Sequence, residues 1–364
     1  MMRSIRNIIF SDNKQNTTPK PDLILHIGTE KTGTTTIHEF LRLNRNLLAS
    51  QGICCPSFMQ PRNHRQLAVF CCNNNRSNQY TLIKGIDDRS KRKKWKINFR
   101  ALFDEKMQKI TCRYDSIIIS SEHLSTLLRN KHEIRYLKRF LKKYASSFTI
   151  IIYIRRQDLI AGSMISNIAK VGFGTSLPKG DEIYKRHFYN YERLLKKWSS
   201  IFGKENIRLR IFEKSHLING DLIQDFMKQA CVNNDIKFKI LGRLNTSLSV
   251  TAVEVAWLFN KKFPLDNNKF GIKKLRDLRM ELVKNVNQKY PGQRKMITKH
   301  DAIKFLHEFE KYNRKLASSW FGRKQLFSED FSMYPDTEPK ADPELVRQLV
   351  EDFIKQKGLS PIDE

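Results

Sequence analysis

Cysteine is scarce and poorly spaced for structural work. Six occur in 364 residues: the adjacent pairs Cys54-Cys55 and Cys71-Cys72, with Cys112 and Cys231 alone. Neighbouring cysteines rarely bridge each other, no CxxC is present, and the ligand spacing of a zinc site is missing. The thiols therefore read as reduced and the compartment as cytoplasmic. Glycine at 15 and proline at 11 are too few for a fibrous or low-complexity chain. Long apolar runs are also missing. The pure stretch near the middle, Ile150 to Ile154, has strand length and falls well short of the ~18 residues that span a bilayer. Residues 1–20 carry the trio Ile8-Ile9-Phe10 but no proper apolar signal region or cleavage site, and read as a tail. Acidic residues are the largest deficit, 37 against 67 Lys plus Arg, a formal charge of +30. Such an excess is silent on fold but favours an anionic partner: nucleic acid, anionic lipid, an acidic polysaccharide or a phosphorylated cofactor. What is present in quantity is hydrophobic residue, 40% with 10% aromatic, enough to bury a core. That excludes wholesale disorder.

Apolar runs of strand length alternate with segments of helical period. Strands are predicted at Leu23–Ile27, Ser116–Ser120, Phe148–Ile154 and Asn206–Phe212. Helices are predicted from Thr34, at His132–Tyr144, Leu159–Val171, Tyr184–Phe202 and Asp221–Gln229. Residues 51–78 read as loop with a short helix at Leu67–Cys71, and Asp88–Lys96 as a basic, solvated run. Beyond Ser249 only helices are expected, at Thr251–Lys261, Gly271–Lys289 and His300–Ser318, then a proline-bearing tail ending in a helix at Glu344–Gln356. The expected fold is α/β: a P-loop-type three-layer sandwich with a central, mainly parallel sheet and a helical C-terminal region. The expected organisation is a tail at 1–20, one domain at 21–335 that is helical from about 250, and a tail at 336–364 with its terminal helix. In such sheets ligands sit beyond the carboxyl ends of the strands, here just after Ile27, Ser120 and Ile154.

After the first strand comes Gly28-Thr29-Glu30-Lys31-Thr32-Gly33-Thr34-Thr35-Thr36. Gly28 and Gly33 bracket four residues, as in a Walker loop, but Thr34 stands where that loop has lysine, and the lysine lies inside, at Lys31. Backbone N–H groups from Lys31 to Thr36 can still wrap a phosphate at a helix N-terminus, with Lys31 as a point charge and the hydroxyls of Thr34 and Thr35 as further donors. An ordinary strand–turn–helix capped by threonines would share this pattern. Arg155 follows the third strand and Ser163 lies eight residues beyond it. An arginine fork with a serine hydroxyl suits a phosphate dianion.

These segments resemble the sulfotransferase family. Its 5′-phosphosulfate loop reads K-x-G-T-T, matched by Lys31-Thr32-Gly33-Thr34-Thr35, and its 3′-phosphate anchor is an arginine and a serine eight apart, matched by Arg155 and Ser163. The string LHIGTEKTGTTTI looks like the bacterial, carbohydrate-modifying branch, as do GRLNTSLS from Gly242 and LFSEDFSMYP from Leu326. The resemblance covers about Asp22 to Tyr334, with two specific motifs. It implies 3′-phosphoadenosine 5′-phosphosulfate (PAPS) as sulfuryl donor and no metal. It also implies a base just past the second strand, where Glu122 and His123 stand side by side. Glu122 is favoured because its Ser-Ser-Glu context fits the bacterial type; His123 stays open. Lys31 would also stabilise the leaving oxygen. His26 reads as structural, His64 as a candidate for the acceptor side, Arg156 as secondary to Arg155 and able to pair with Asp158, and Arg243 and Asn245 as minor nucleotide contacts.

A charge of +30 exceeds what a PAPS pocket needs. The expected acceptor is an anionic carbohydrate, an acidic or lipid-linked glycan, with peripheral contact to an anionic inner membrane face as a further use of the lysines. Nucleic acid is disfavoured, since helix-turn-helix, zinc-finger and RNP-like signatures are missing. Two other functions compete. A P-loop kinase or NTPase needs lysine at position 34 and a magnesium acid. A non-catalytic polyanion binder would keep Arg155 and tolerate loss of Glu122.

Overall fold

The computed structural model describes residues 19–59, 63–172, 189–233, 236–240, 248–264 and 271–360. Five strands form one sheet: β1 (Asp22–His26), β2 (Ile53–Cys54), β3 (Ser116–Ser120), β4 (Phe148–Ile154) and β5 (Ile207–Ile211). Their order is β2-β3-β1-β4-β5, and every pairing is parallel. β1 is central, with Leu23 opposite Ile117 on one side and Phe148 on the other. Parallel strands covered on both faces need continuous apolar runs, as β1, β3 and β4 have. β5 is one edge and alternates. Ile207, Leu209 and Ile211 are buried, while Arg208 and Arg210 are half-buried on the opposite face.

Helices cover both faces. On one lie α1 (Thr34–Leu43), the short α2 (Arg45–Ala49) and, from later in the chain, residues 222–229. Ile37, Phe40, Leu41 and Phe226 pack there against Ile24, Ile118 and Ile151. On the other face lie α3 (Arg65–Cys71), α4 (Gln79–Ile83), α5 (Arg89–Thr111), α6 (His123–Leu127) and α7 (Lys131–Leu141). Their apolar stripes meet Leu23, Leu25, Ile117, Ile119, Ile150 and Ile152. The chain continues through α8 (Gln157–Val171), α9 (Tyr191–Phe202) and α10 (Leu222–Gln229). Then come α11 (Val250–Lys262), α12 (Ile272–Lys289), α13 (Lys299–His307), α14 (Glu310–Phe321) and α15 (Pro343–Gln356). The result is the three-layer α/β sandwich with a helical C-terminal part. Its sheet is wholly parallel among the described residues.

Three stretches differ from the sequence expectation. The loop at 51–78 contains the edge strand β2, whose two residues pair with Ser116 and Ile117. The basic run Asp88–Lys96 opens the 23-residue helix α5, capped by the Asp88 carboxylate, which accepts from the N–H groups of Ser90 at 2.8 Å and Lys91 at 2.9 Å. Its buried stripe, Phe99, Phe103 and Met107 at four-residue steps, is too narrow to stand out among the charges. Within that run Arg92 is buried, donating to the carbonyls of Ile86 at 3.1 Å and Asn74 at 2.8 Å. The single helix expected at 300–318 is two, α13 and α14, broken at Glu308 and Phe309. The break lets Phe305 and Phe309 both contact the Tyr189 ring, at 5.2 and 5.8 Å.

The expected terminal helix, α15, is capped by Asp342 and buries Val346, Val350 and Phe353 against α11. The 1–18 part of the N-terminal tail, the start of the helix expected from Tyr184, and Arg243 and Asn245 lie outside the described residues.

Candidate active site

The carboxyl ends of β1, β3 and β4 bring three sequence-distant segments together. Ile27 and Thr29 donate their N–H groups to Ile151 and Tyr153 of β4 at 3.0 and 2.7 Å, and Tyr153 returns a bond to Gly28 O at 2.7 Å. The loop after β1 is therefore laced into β4 before it turns. Gly28 has φ 94 and lies against Glu122: a Cβ there would stand 3.0 Å from the Glu122 Cα and Cβ. Only glycine allows the loop to press on that residue. Lys31, with φ 62, is one of the few non-glycine residues in the left-handed region. Two bonds hold it so: Thr32 Oγ1 donates to Thr29 O at 2.6 Å, and Arg155 Nη1 donates to Lys31 O at 3.1 Å. Gly33, φ 78, then starts α1, accepting from Thr36 and Ile37.

Thr32 is buried and its hydroxyl faces inward, so toward a ligand it offers its N–H alone. Among the described residues the N–H groups of Lys31 to Thr35 donate to no acceptor, which leaves a fan of donors at the head of α1. Thr34 is buried, Thr35 exposed and Thr36 half-buried. Burial holds the Lys31 ammonium below its ordinary range; Lys170 and Arg155 repel it further, against the pull of Glu30 and Glu122. This loop suits an anion that would compensate a crowded cation.

Arg155 is half-buried. It lies over the Phe212 ring at 5.6 Å, and its carbonyl accepts from Tyr191 OH at 2.6 Å. Ser163 is half-buried on α8, which starts just beyond. Arg156, the neighbour, is used structurally. It is buried, forks onto Asp158 at 2.9 Å, and donates to the carbonyls of Ser328 and Asp330 at 2.8 and 2.7 Å. Tyr334 OH donates to the same Asp158 at 2.6 Å, and Phe331 lies under the guanidinium at 4.5 Å. The segment from Leu326 to Tyr334 is thus clamped on the end of β4.

Glu122 follows β3 and faces a cluster of imidazoles. Its Oε2 is 3.7 Å from His38 Nε2 and its Oε1 is 3.5 Å from His123 Nε2. Oε2 is buried with no hydrogen bond. His123 Nε2 accepts from Arg65 Nε at 2.8 Å, so its lone pair is engaged. Burial pushes His123 down to about 4, Glu122 opposing and Arg65 and His38 adding to the shift. Burial also takes His38 down to about 4. His26 bonds Ser120 Oγ at 2.7 Å inside the sheet and is pushed by burial to about 3.

His64 does not line an open acceptor side. Its Nδ1 accepts from Ser120 N–H at 2.9 Å and its Nε2 donates to Pro56 O at 2.7 Å, in a buried setting. It pins the start of α3 to the end of β3, and that pin carries Arg65 to His123.

No protein-family model matches the chain. A curated relative, an uncharacterized protein of Archaeoglobus fulgidus, is 26% identical over 267 residues, 67% of either chain. Two solved structures to which the chain is similar are sulfotransferases. The sulfotransferase from Alicyclobacillus acidocaldarius shares 16% identity at a TM-score of 0.39, over 63% of this chain and 87% of that one. The sulfotransferase domain from the curacin biosynthetic pathway shares 8% at a TM-score of 0.32, over 95% and 99%. At those scores the site has to be read from its own residues.

Lys31, Gly33, Glu122, His123 and Arg155 belong to one cluster beyond the carboxyl ends of the inner strands. Ser163 lies on the adjoining helix, and no hydrogen bond joins it to Arg155 among the described residues. Sequence reasoning passed over His38 and Arg65. His38 was visible as a polar residue on the buried stripe of α1, one turn past Thr34. Arg65 carried no comparable signal, since its place depends on the His64 pin.

Among the described residues no helix is long and apolar enough to cross a membrane, and no group of three or more His, Cys, Asp or Glu is placed to hold a metal ion.

Proposed function

We propose that this chain is a sulfotransferase moving a sulfuryl group from PAPS to a hydroxyl of a carbohydrate acceptor. The observation that carries the reading is the Arg155–Lys31 bond of 3.1 Å, which joins the two anion-binding segments into one cradle. In this reading the N–H groups of Lys31 to Thr35 and the hydroxyls of Thr34 and Thr35 hold the 5′-phosphosulfate, the Thr36 N–H being spent on Gly33 O at 2.9 Å, and Arg155 with Ser163 holds the 3′-phosphate. The acceptor oxygen forms its bond to sulfur as the bond from sulfur to the bridging phosphate oxygen breaks. Adenosine 3′,5′-bisphosphate leaves, and Lys31 stabilises the charge on that oxygen. Glu122 takes the acceptor proton. It is preferred to His123 because the His123 Nε2 lone pair is engaged by Arg65, whereas Glu122 Oε2 has no hydrogen bond. His38 Nε2 lies 3.7 Å from that oxygen without a hydrogen bond to it. The charge of +30 supports an anionic acceptor, an acidic or lipid-linked glycan, and peripheral contact with anionic lipid.

The test is calorimetric titration with adenosine 3′,5′-bisphosphate without magnesium, beside ATP. Binding that is lost in Arg155→Ala and in Lys31→Ala is the expected result. No binding, or a magnesium-dependent preference for ATP, would overturn the reading and favour phosphoryl transfer, for which Thr34 stands in the lysine position.

A further inference from the structure

Arg65, the first residue of α3, spends its Nε on His123 Nε2 at 2.8 Å, and that nitrogen lies 3.5 Å from Glu122 Oε1. Its Nη2 reaches Gln79 Oε1, at the start of α4, only at 3.5 Å, the outer limit of a hydrogen bond. Its Nη1 donates to no acceptor among the described residues and is not sealed from solvent. Arg276, on α12, is exposed and has no hydrogen bond or ion pair among the described residues. The first turns of α12 face α4 across a cleft, with Lys273, Lys274 and Asp277 opposite Leu82 and Ile83. That placement brings Arg276 close enough to repel Arg65, whose guanidinium is already disfavoured by burial. The surroundings do not cancel this charge. Lys273, Lys274, Arg276 and Lys357 outnumber Asp277 and Glu281 four to two, and Glu281 is paired with Lys357 at 2.7 Å.

The sheet order sets these two arginines apart from the nucleotide anchors. Lys31 follows β1 and Arg155 follows β4, whereas Glu122 and His123 follow β3, on the other side of β1 from β4. The bond from Ser120 N–H to His64 fixes the neighbouring Arg65 on the β3 side. Once the donor's phosphates lie on Lys31 and Arg155, Arg65 and Arg276 are still without an anion. We infer that these two arginines form a subsite for an anionic substituent on the sugar that is modified, the carboxylate of a uronic acid or the phosphate of a glycosyl phosphate. The inference rests on the sulfuryl-transfer reading and narrows its acceptor. Like charges repel, so one anion between two guanidiniums is drawn by both and offsets their repulsion. The free Nη edge of Arg65 offers the planar fork that carboxylates and phosphates accept. Because the same guanidinium holds His123 beside Glu122, an anion on Arg65 sets the ring that bears it next to the base.

The probes are methyl β-D-glucuronide, α-D-glucose 1-phosphate and the neutral methyl β-D-glucoside. Each is titrated calorimetrically into the full chain, free and saturated with adenosine 3′,5′-bisphosphate. At least one anionic sugar should bind about 10- to 100-fold tighter than the neutral one, the span of a hydrogen bond between charged groups, and the tighter of the two names the source of the anion. Arg276→Gln, at an exposed position, should reduce that preference about three- to fivefold. Arg65→Gln should reduce it about tenfold, and the double substitution should abolish it. Lys143→Gln removes an exposed charge just before β4, at the amino end of the sheet, and should leave the preference within about twofold. Equal affinity for all three sugars, or no binding by any, overturns the inference. So does a preference that survives the double substitution, or one that Lys143→Gln lowers as much as Arg276→Gln does. Bisphosphate affinity should stay within about twofold in Arg276→Gln. The bisphosphate titration reports on the nucleotide site by itself, so failure of this subsite and failure of the sulfuryl-transfer reading are told apart.

Discussion

Mild acid should destabilise this protein strongly, and the site explains why. Four buried imidazoles are held neutral: His38, His64 and His123 at about 4, and His26 at about 3, against an ordinary value of 6.5. Burial is the leading cause at each. Each folded-state value lies below the unfolded one, so below about pH 6.5 the unfolded chain binds more protons than the folded chain. The stabilisation is complete above pH 6.5 and is lost as the pH falls towards 4. Between pH 7 and pH 5 a ring shifted to about 4 loses about 2 kcal/mol by this linkage. Four such rings together approach about 7 kcal/mol, within the ~5–15 kcal/mol that a whole domain possesses. Urea denaturation at pH 7, 6 and 5 measures this directly. The slope of stability against pH near 5 should correspond to uptake of about three to four protons on unfolding. His64→Gln should lower that slope by about one proton while lowering stability at pH 7, because it removes the pin between β3 and α3. A stability that stays flat from pH 7 to 5 would refute neutral burial of these rings, and with it the hydrogen-bonding roles assigned to His64 and His123.

Three further outcomes are expected. Glu122→Gln should lower turnover by about 100- to 10,000-fold, the usual span for a lost general base, and leave adenosine 3′,5′-bisphosphate affinity within about twofold. Comparable turnover in the variant would move the base to His123. Gly33→Ala should destabilise by about 1–3 kcal/mol in urea, because φ is 78 and the new Cβ would stand 2.3 Å from Leu222 Cδ2. Adding Leu222→Ala should restore the steric part and leave the backbone part. Asp158→Ala should cost about 3–5 kcal/mol, since it leaves Arg156 buried and unpaired and deprives Tyr334 of its acceptor. Limited proteolysis between Leu326 and Tyr334 should then be faster than in the parent protein.

The sequence alone determined four of the five strands, the glycine-bracketed loop after β1 and the arginine after β4. These are local properties. A strand buried on both faces must be an unbroken apolar run, and a turn that brings backbone N–H groups together needs glycine at fixed places. The helix α5 escaped because most of its surface is charged and its buried apolar stripe is a single row of three residues. Tertiary structure alone decided the sheet order, the placement of β2 and the surroundings of the base. His64 reaches Ser120 across 56 residues and Arg65 reaches His123 across 58. Arg155 meets Lys31 across 124. Contacts between segments that far apart depend on how the layers pack, and no local periodicity encodes them. That is also why Arg156, read from the chain as the lesser neighbour of Arg155, proves to be the clamp for a segment more than 170 residues away.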